Sequence, residues 1–346
     1  LVGITYLYLL AHRLTGSSLA ATMATILYIL LPASVQYPHV LLTEGFFNPL
    51  VIACVYYLVR YLQDEEHPVV HLLASGFLLS VATLLREVIL PIAGLVLLVL
   101  LLLALRGRIR WGHLVAYAAA SLVLPLVLMS FFYVYTGSLS MGESDHSVGF
   151  NLAGRIARIS RMEKINPQPT LGDERTVSVS QFLAFVRDHP TPFAKTLVSD
   201  LLNVILNPGS NHVLSRYLHL YEVPAQSDYF ARARDRGLVN FAVTILTYSP
   251  LLALSNVVSL VFWLLFLAAA AWGLYLLVRN SAIHWSVRLL LVVLILHFVA
   301  ATQVAVDVSY RHRTPVEFIL VIAVSLAMMA VVEQRARRRL ASAAAY

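Results

Sequence analysis

Charge is scarce in this chain. Only 12% of its 346 residues are Asp, Glu, Lys or Arg, against roughly 25% in soluble globular proteins. With 59% hydrophobic residues and a mean hydropathy of +0.77, no single water-soluble core could absorb the apolar surface, and most of the chain must lie in lipid. Cysteine is almost missing: the one thiol, Cys54, stands inside an apolar run. A disulfide framework within the chain is thereby excluded, and Cys54 reads as a buried residue. The sequence has no Gly-rich phosphate loop, HExxH, GxSxG or CxxC, so nothing in it supports nucleotide-driven transport. It has no paired strand patterns, no internal repeat and no low-complexity segment beyond the Ala-rich C-terminal end. A charged leader region and a cleavage site are also lacking ahead of the first apolar segment, which is already under way at Leu1. A missing upstream portion, with a truncated first span, is the expectation.

What is present is a series of apolar runs. A spanning helix needs about 20 apolar residues. By that measure the spans are Leu1 to His12 (incomplete), Ser17 to Gln36, Gly45 to Leu62, Pro68 to Leu85, Val88 to Leu105 and His113 to Tyr135. After a long polar stretch come one within Leu251 to Val278, then Val287 to Val306 and Val316 to Val332. The expected fold is therefore an all-α polytopic membrane protein of about nine transmembrane helices with a small helical external domain. Its divisions are spans one to six over 1–135, an external and mostly helical juxtamembrane domain over 136–237, spans seven to nine over 238–332, and a basic cytoplasmic tail over 333–346.

The net charge of +7 comes from arginine in alternate loops and does not read as nucleic-acid binding. Arg13, the Arg60 to His67 loop, Arg106 to Arg110, Arg279 to Arg288 and the tail Arg335 to Arg339 all fall on one side. The positive-inside rule makes that side cytoplasmic, and the acidic run Asp64-Glu65-Glu66 weighs little in it. The stretch from Thr136 to about Gly237 is then external. It is too long for a simple connector. Within it, Val179 to Asp188 and Phe193 to Leu206 have the apolar spacing of amphipathic helices.

The same alternation sends three ionisable clusters to the external face: Thr43-Glu44, Arg86-Glu87, and Tyr310-Arg-His-Arg-Thr-Pro315, with Asp307 about one turn before Arg311. Charge at a helix end in a bilayer is costly unless paired or wetted, so three such clusters point to an aqueous charged cavity. Glu44 reads as a general base or cation ligand, or else as a helix-start residue satisfying free amides and the dipole. Arg86 reads as a bidentate anion donor or as a snorkelling interfacial residue beside its counter-ion Glu87. Arg311, His312 and Arg313 ahead of Pro315 read as an anion site at a helix N-terminus or as a basic interfacial anchor. Glu143-Ser-Asp145-His146 has metal-compatible side chains without a metal-site spacing and reads as a solvated loop. His189, His212 and His219 read as ordinary histidines of the external domain, and His297 as a donor between helices.

Taken in order, these features resemble the GT-C-fold glycosyltransferases, the group of the protein O-mannosyltransferases and the aminoarabinose transferase of lipid A. The likeness rests on Leu14-Thr-Gly-Ser-Ser-Leu-Ala-Ala to Pro32 followed by an external loop ending in Thr43-Glu44, on Leu84-Leu-Arg86 before an apolar span, on Phe182 to Pro192 with the helix after it, and on the Arg-x-Arg-x-Pro element at Arg311 to Pro315. Each motif is short; their order and common side carry the resemblance. It implies a bacterial inner-membrane enzyme that moves a sugar, on the external side, from a polyprenyl-phosphate donor to a lipid, glycan or protein acceptor, with inversion at the anomeric carbon. Carried over, Glu44 is the catalytic-site carboxylate. Arg86, Arg311, His312 and Arg313 bind the lipid phosphate, and Thr43, Glu87 and Asp307 support them. No metal ligand is assigned; a divalent cation is the one cofactor the family leaves open. The family's main acid lies after its first span and has no counterpart here. Two other readings stay open: a transporter or flippase of a lipid-linked or anionic solute, against which the lack of a repeat counts, and an O-antigen ligase or polymerase.

Overall fold

The computed structural model describes residues 1–31, 43–64, 66–86, 89–137, 144–163, 177–206, 250–302 and 314–343. Among them there is no strand, and the architecture is all-α. The helices are α1 (Val2–Thr15), α2 (Ser18–Leu30), α3 (Thr43–Gln63), α4 (Val69–Leu85), α5 (Leu90–Leu105) and α6 (Trp111–Thr136), then α7 (Ser144–Glu163), α8 (Val179–Asp188), α9 (Pro190–Leu206), α10 (Pro250–Arg279), α11 (Trp285–Thr302) and α12 (Thr314–Ala343).

Local chemistry sets the ends. Gly16 closes α1 in the left-handed region at φ 68°, its N–H donating to the His12 carbonyl, a conformation that costs glycine little. One residue later Ser17 caps α2, its hydroxyl accepting the Ala20 N–H at 3.2 Å. Proline in the first turn opens α5.

Four described stretches are long and apolar enough to cross a membrane: Gly45–Gln63, Trp111–Tyr135, Val257–Arg279 and Thr314–Ser342. Four shorter apolar helices accompany them. Among the described residues the four long stretches have the length and composition to span, and the expected count of about nine is not shown. In the second and third long spans only 17% and 22% of the apolar window is buried within the protein. Apolar side chains such as Val127 and Phe131 on the one span and Leu265 on the other, each more than half exposed, need hydrocarbon around them.

The chain forms two compact units. The first comprises 1–126, 263–295 and 314–346. In it α1 runs parallel to α3: Gly3 meets Pro49, Tyr6 donates to or accepts from the Tyr57 hydroxyl at 3.0 Å, and Arg13 reaches Gln63. α4 runs back antiparallel to α3, with Cys54 and Ser75 at 3.3 Å. At Gly76 a Cβ would stand 2.8 Å from the Ala120 methyl, so this glycine lets α6 approach α4 closely. Gly273 of α10 does the same against the Ala323 carbonyl of α12.

The second unit comprises 127–262 and 296–313. Here α7, α8 and α9 pack round Leu152, Ile156, Ile159, Val177 and Phe185, with Phe182 and Phe193 edge to face at 6.1 Å. A capping box of Ser178 and Gln181 starts α8. Asp200 on α9 takes fully buried Arg155 as an ion-pair partner and Arg158 at 2.7 Å, both from α7.

Two boundaries differ from the sequence expectation. The backbone from Ser144 is helical where a solvated loop is expected, because α7 has an apolar face to bury. The expected tail 333–346 is not a separate segment through Ala343, since α12 continues unbroken through Arg335 to Arg339. The described part of α11 stops at Thr302, so the expected extension to Val306 lies outside the described residues.

Candidate functional site

Of the residues singled out from sequence, Arg86 is the best defined. It caps α4 in extended conformation, and its guanidinium lies over the Phe47 ring at 5.7 Å, a cation–π distance. Phe47 is three residues past Glu44, hence about one turn along α3. The Arg86 turn and the opening turn of α3 are thus brought to one end of the α3–α4 pair. Thr43 and Glu44 are helical in backbone; their side chains lie outside the description, as do Glu87, Asp307, Arg311, His312 and Arg313 entirely. The Arg311 to Arg313 element directly precedes α12.

Two residues near these positions were not foreseen. Asn48, next to Phe47, is buried, and its Oδ1 has no hydrogen-bond partner among the described residues. The available signal was a polar amide inside an apolar span, expensive in lipid. Glu317, in the first turn of α12, is 2% exposed. Its signal was Thr314-Pro-Val-Glu317, a helix-start spacing with the carboxylate at the positive end of the dipole.

The opposite end of the first unit holds a second constellation, which the sequence reading used only for orientation. α4 is 17 residues long, placing this end about 25 Å from Arg86 along the axis. The segments after α1, α3 and α5 and the one before α11 converge there on a cavity of about 980 Å³. Arg13, Asp64, His67, Arg108 and His284 line it with Leu9, Tyr56 and Leu103. Asp64 is held by Arg13, by Arg60 at 3.6 Å and, when charged, by His71 at 3.8 Å. One carboxylate so shared leaves the wall with surplus positive charge. His67 adopts φ 44° and donates from Nδ1 to the Tyr61 carbonyl at 2.8 Å. His284 Nδ1 lies 2.7 Å from the Ser286 hydroxyl. Its pKa is lowered, first by burial and then by Arg108, His67 and Arg288.

Among the described residues no three His, Cys, Asp or Glu side chains are grouped to hold a metal ion, and no chemical step is assigned to one. Compared with family models, curated proteins and solved structures, the chain matches none.

Proposed function

We propose that the chain is a membrane glycosyltransferase of the GT-C kind, moving a sugar from a polyprenyl-phosphate donor to an acceptor hydroxyl on the non-cytoplasmic side of the bacterial inner membrane. The observation that supports this reading is the contact of Arg86 with Phe47, one turn from Glu44. It brings a guanidinium and the helix start bearing a carboxylate to one end of one helix pair, the two charge types the reaction uses. In that reaction the acceptor oxygen forms a bond to the anomeric carbon, the bond from that carbon to the phosphate oxygen breaks, and the lipid phosphate keeps the electron pair. The acceptor proton passes to a carboxylate. Glu44 is the carboxylate proposed at the site, supported by Thr43. Arg86 with Arg311, His312 and Arg313 would offset the charge developing on the leaving phosphate, with Glu87 and Asp307 orienting the arginines. A buried tail groove would explain why a sugar enzyme is built from lipid-embedded helices.

The test is transfer of radiolabelled sugar from a panel of polyprenyl-phosphate sugars, using membranes containing the protein. Glu44→Gln and Arg86→Ala are each expected to lower turnover by 100-fold or more, as loss of a transition-state donor or a proton acceptor does. Arg311→Ala and Arg313→Ala are expected to abolish binding of the polyprenyl phosphate while the protein still inserts. Full turnover in Arg86→Ala, or unchanged binding in both arginine variants, overturns the assignment. Vectorial movement of a lipid-linked solute without transfer would favour the transporter reading instead.

A further inference from the structure

We infer that the cavity at the arginine-rich end, with the groove that continues from it, is a binding site for an anionic membrane phospholipid. This site is separate from the proposed sugar-transfer site and does not depend on it.

Three observations carry the inference. The first is charge. Arg13 donates from Nε to Gln63 at 3.0 Å and is paired with Asp64, so it is held rigidly at the wall. Arg108 stands across the same cavity, and its side chain makes no hydrogen bond or ion pair among the described residues. His284 turns Nδ1 toward Ser286, whose N–H lies 3.4 Å away. With Nδ1 accepting, the ring proton sits on Nε2 and is a further donor. Guanidinium forks and a ring N–H suit the oxygens of a phosphodiester. Asp64, the acidic residue of the wall, is already engaged by its own cations.

The second is shape. A smaller space of about 450 Å³ lies along α1 and α3, and Leu9 and Tyr56 border both it and the main cavity. Its other walls are Leu1, Val2, Thr5, Tyr6 and Tyr57, with Arg60 at the chamber end, where it pairs with Asp64. The Tyr6 and Tyr57 hydroxyls satisfy each other, leaving their rings to the groove. From Leu9 to Leu1 the groove extends about 12 Å along the helix. A polar, cationic chamber opening into an apolar channel has the polarity pattern of a head group and an acyl chain.

The third is position. The cavity sits where helices end, so the phosphate would lie at interface depth and the chain would point into the hydrocarbon. A soluble phosphate compound would use the chamber and leave the channel empty.

The experiment is native mass spectrometry of the whole protein released from detergent after incubation with equal amounts of phosphatidylglycerol and phosphatidylcholine. Retention of the anionic lipid about tenfold above the zwitterionic one is expected, the scale of a single charge-assisted contact. Arg108→Ala should bring the two lipids level. Leu9→Trp, which fills the channel, should lower retention of both. Arg335→Ala, on the exposed end of α12, should change neither. Equal retention of the two lipids by the unaltered protein overturns the site, and so does an unchanged preference in Arg108→Ala. Glycerol 3-phosphate in large excess should leave the bound phosphatidylglycerol in place; displacement by it overturns the lipid reading in favour of a soluble phosphate ligand.

Discussion

His284 gives up its proton more readily than a free imidazole, whose pKa is about 6.5. Burial is the first cause, and the charges of Arg108, His67 and Arg288 add to it. The unfolded chain therefore binds a proton that the folded chain resists. Stability is full above the ordinary histidine pKa and declines as pH falls through and below it. Thermal melts in detergent should show a lower midpoint at pH 5.5 than at pH 7.5, and His284→Asn should shrink that difference. A variant whose pH dependence matches the unaltered protein would show that the imidazole does not contribute. Asp64 joins Arg13, Arg60 and His71 at the meeting of α1, α3 and α4. Its side chain is 25% exposed, so water screens part of the attraction and Asp64→Asn should cost about 1–2 kcal/mol, less than a fully buried pair would.

At the scale of elements, close helix approach and buried ion pairs carry the predictions. Gly273→Ala would push a methyl into the Ala323 carbonyl of the neighbouring helix. Overpacking of this kind costs about 1–3 kcal/mol, visible as a lower aggregation temperature in detergent. In the α7–α9 cluster, Asp200→Ala would strand the fully buried Arg155 without its counter-charge. The expected cost is about 3–5 kcal/mol. Hydrogen exchange should then show lost protection in α7, α8 and α9 with α1 to α5 unchanged, and retained protection there would refute the pair's role. α7 also marks where the sequence was hard to read. Its apolar side, Leu152, Ile156 and Ile159, recurs at helical spacing, yet Arg155, Arg158 and Arg161 interrupt it and the segment as a whole is near neutral in hydropathy. The apolar runs, by contrast, were legible because lipid demands length and continuity, and α3, α4, α5 and α10 lie within a few residues of the expected limits. α12 overran its expected end because helical hydrogen bonding does not stop where hydropathy does.

For the molecule as a whole, the long exposed apolar faces make lipid a structural component. Leu265, near the middle of α10, is 67% exposed. Leu265→Arg should raise the cost of insertion by about 2.5–3.5 kcal/mol and shift the protein from the carbonate-resistant to the extractable fraction; undiminished integration would mean that this face is covered by protein. Loop charge correctly grouped the segments round Arg13, Asp64, Arg108 and His284, which do meet at one end of the first unit. The cavity they enclose could not be read from the sequence, since no two of the four converging segments are adjacent in the chain and Asp64 entered the reading only as a residue of little weight. For the cluster at the other end, the sequence gathers more residues than the described structure does: Arg86 and the start of α3 come together, and the remaining positions lie outside the described residues.

The unbroken run of α12 past Val332 has a mechanical meaning. Eleven residues, 333–343, continue the helix, about 16 Å of rod at 1.5 Å per residue. A rod carries torque and tilt along its length where a tether would dissipate them. Any rotation of α12 against Gly273 would therefore be delivered, amplified by leverage, to the arginines at its tip. A probe at Ser342 would act as a pointer for movements that begin where α12 meets Gly273.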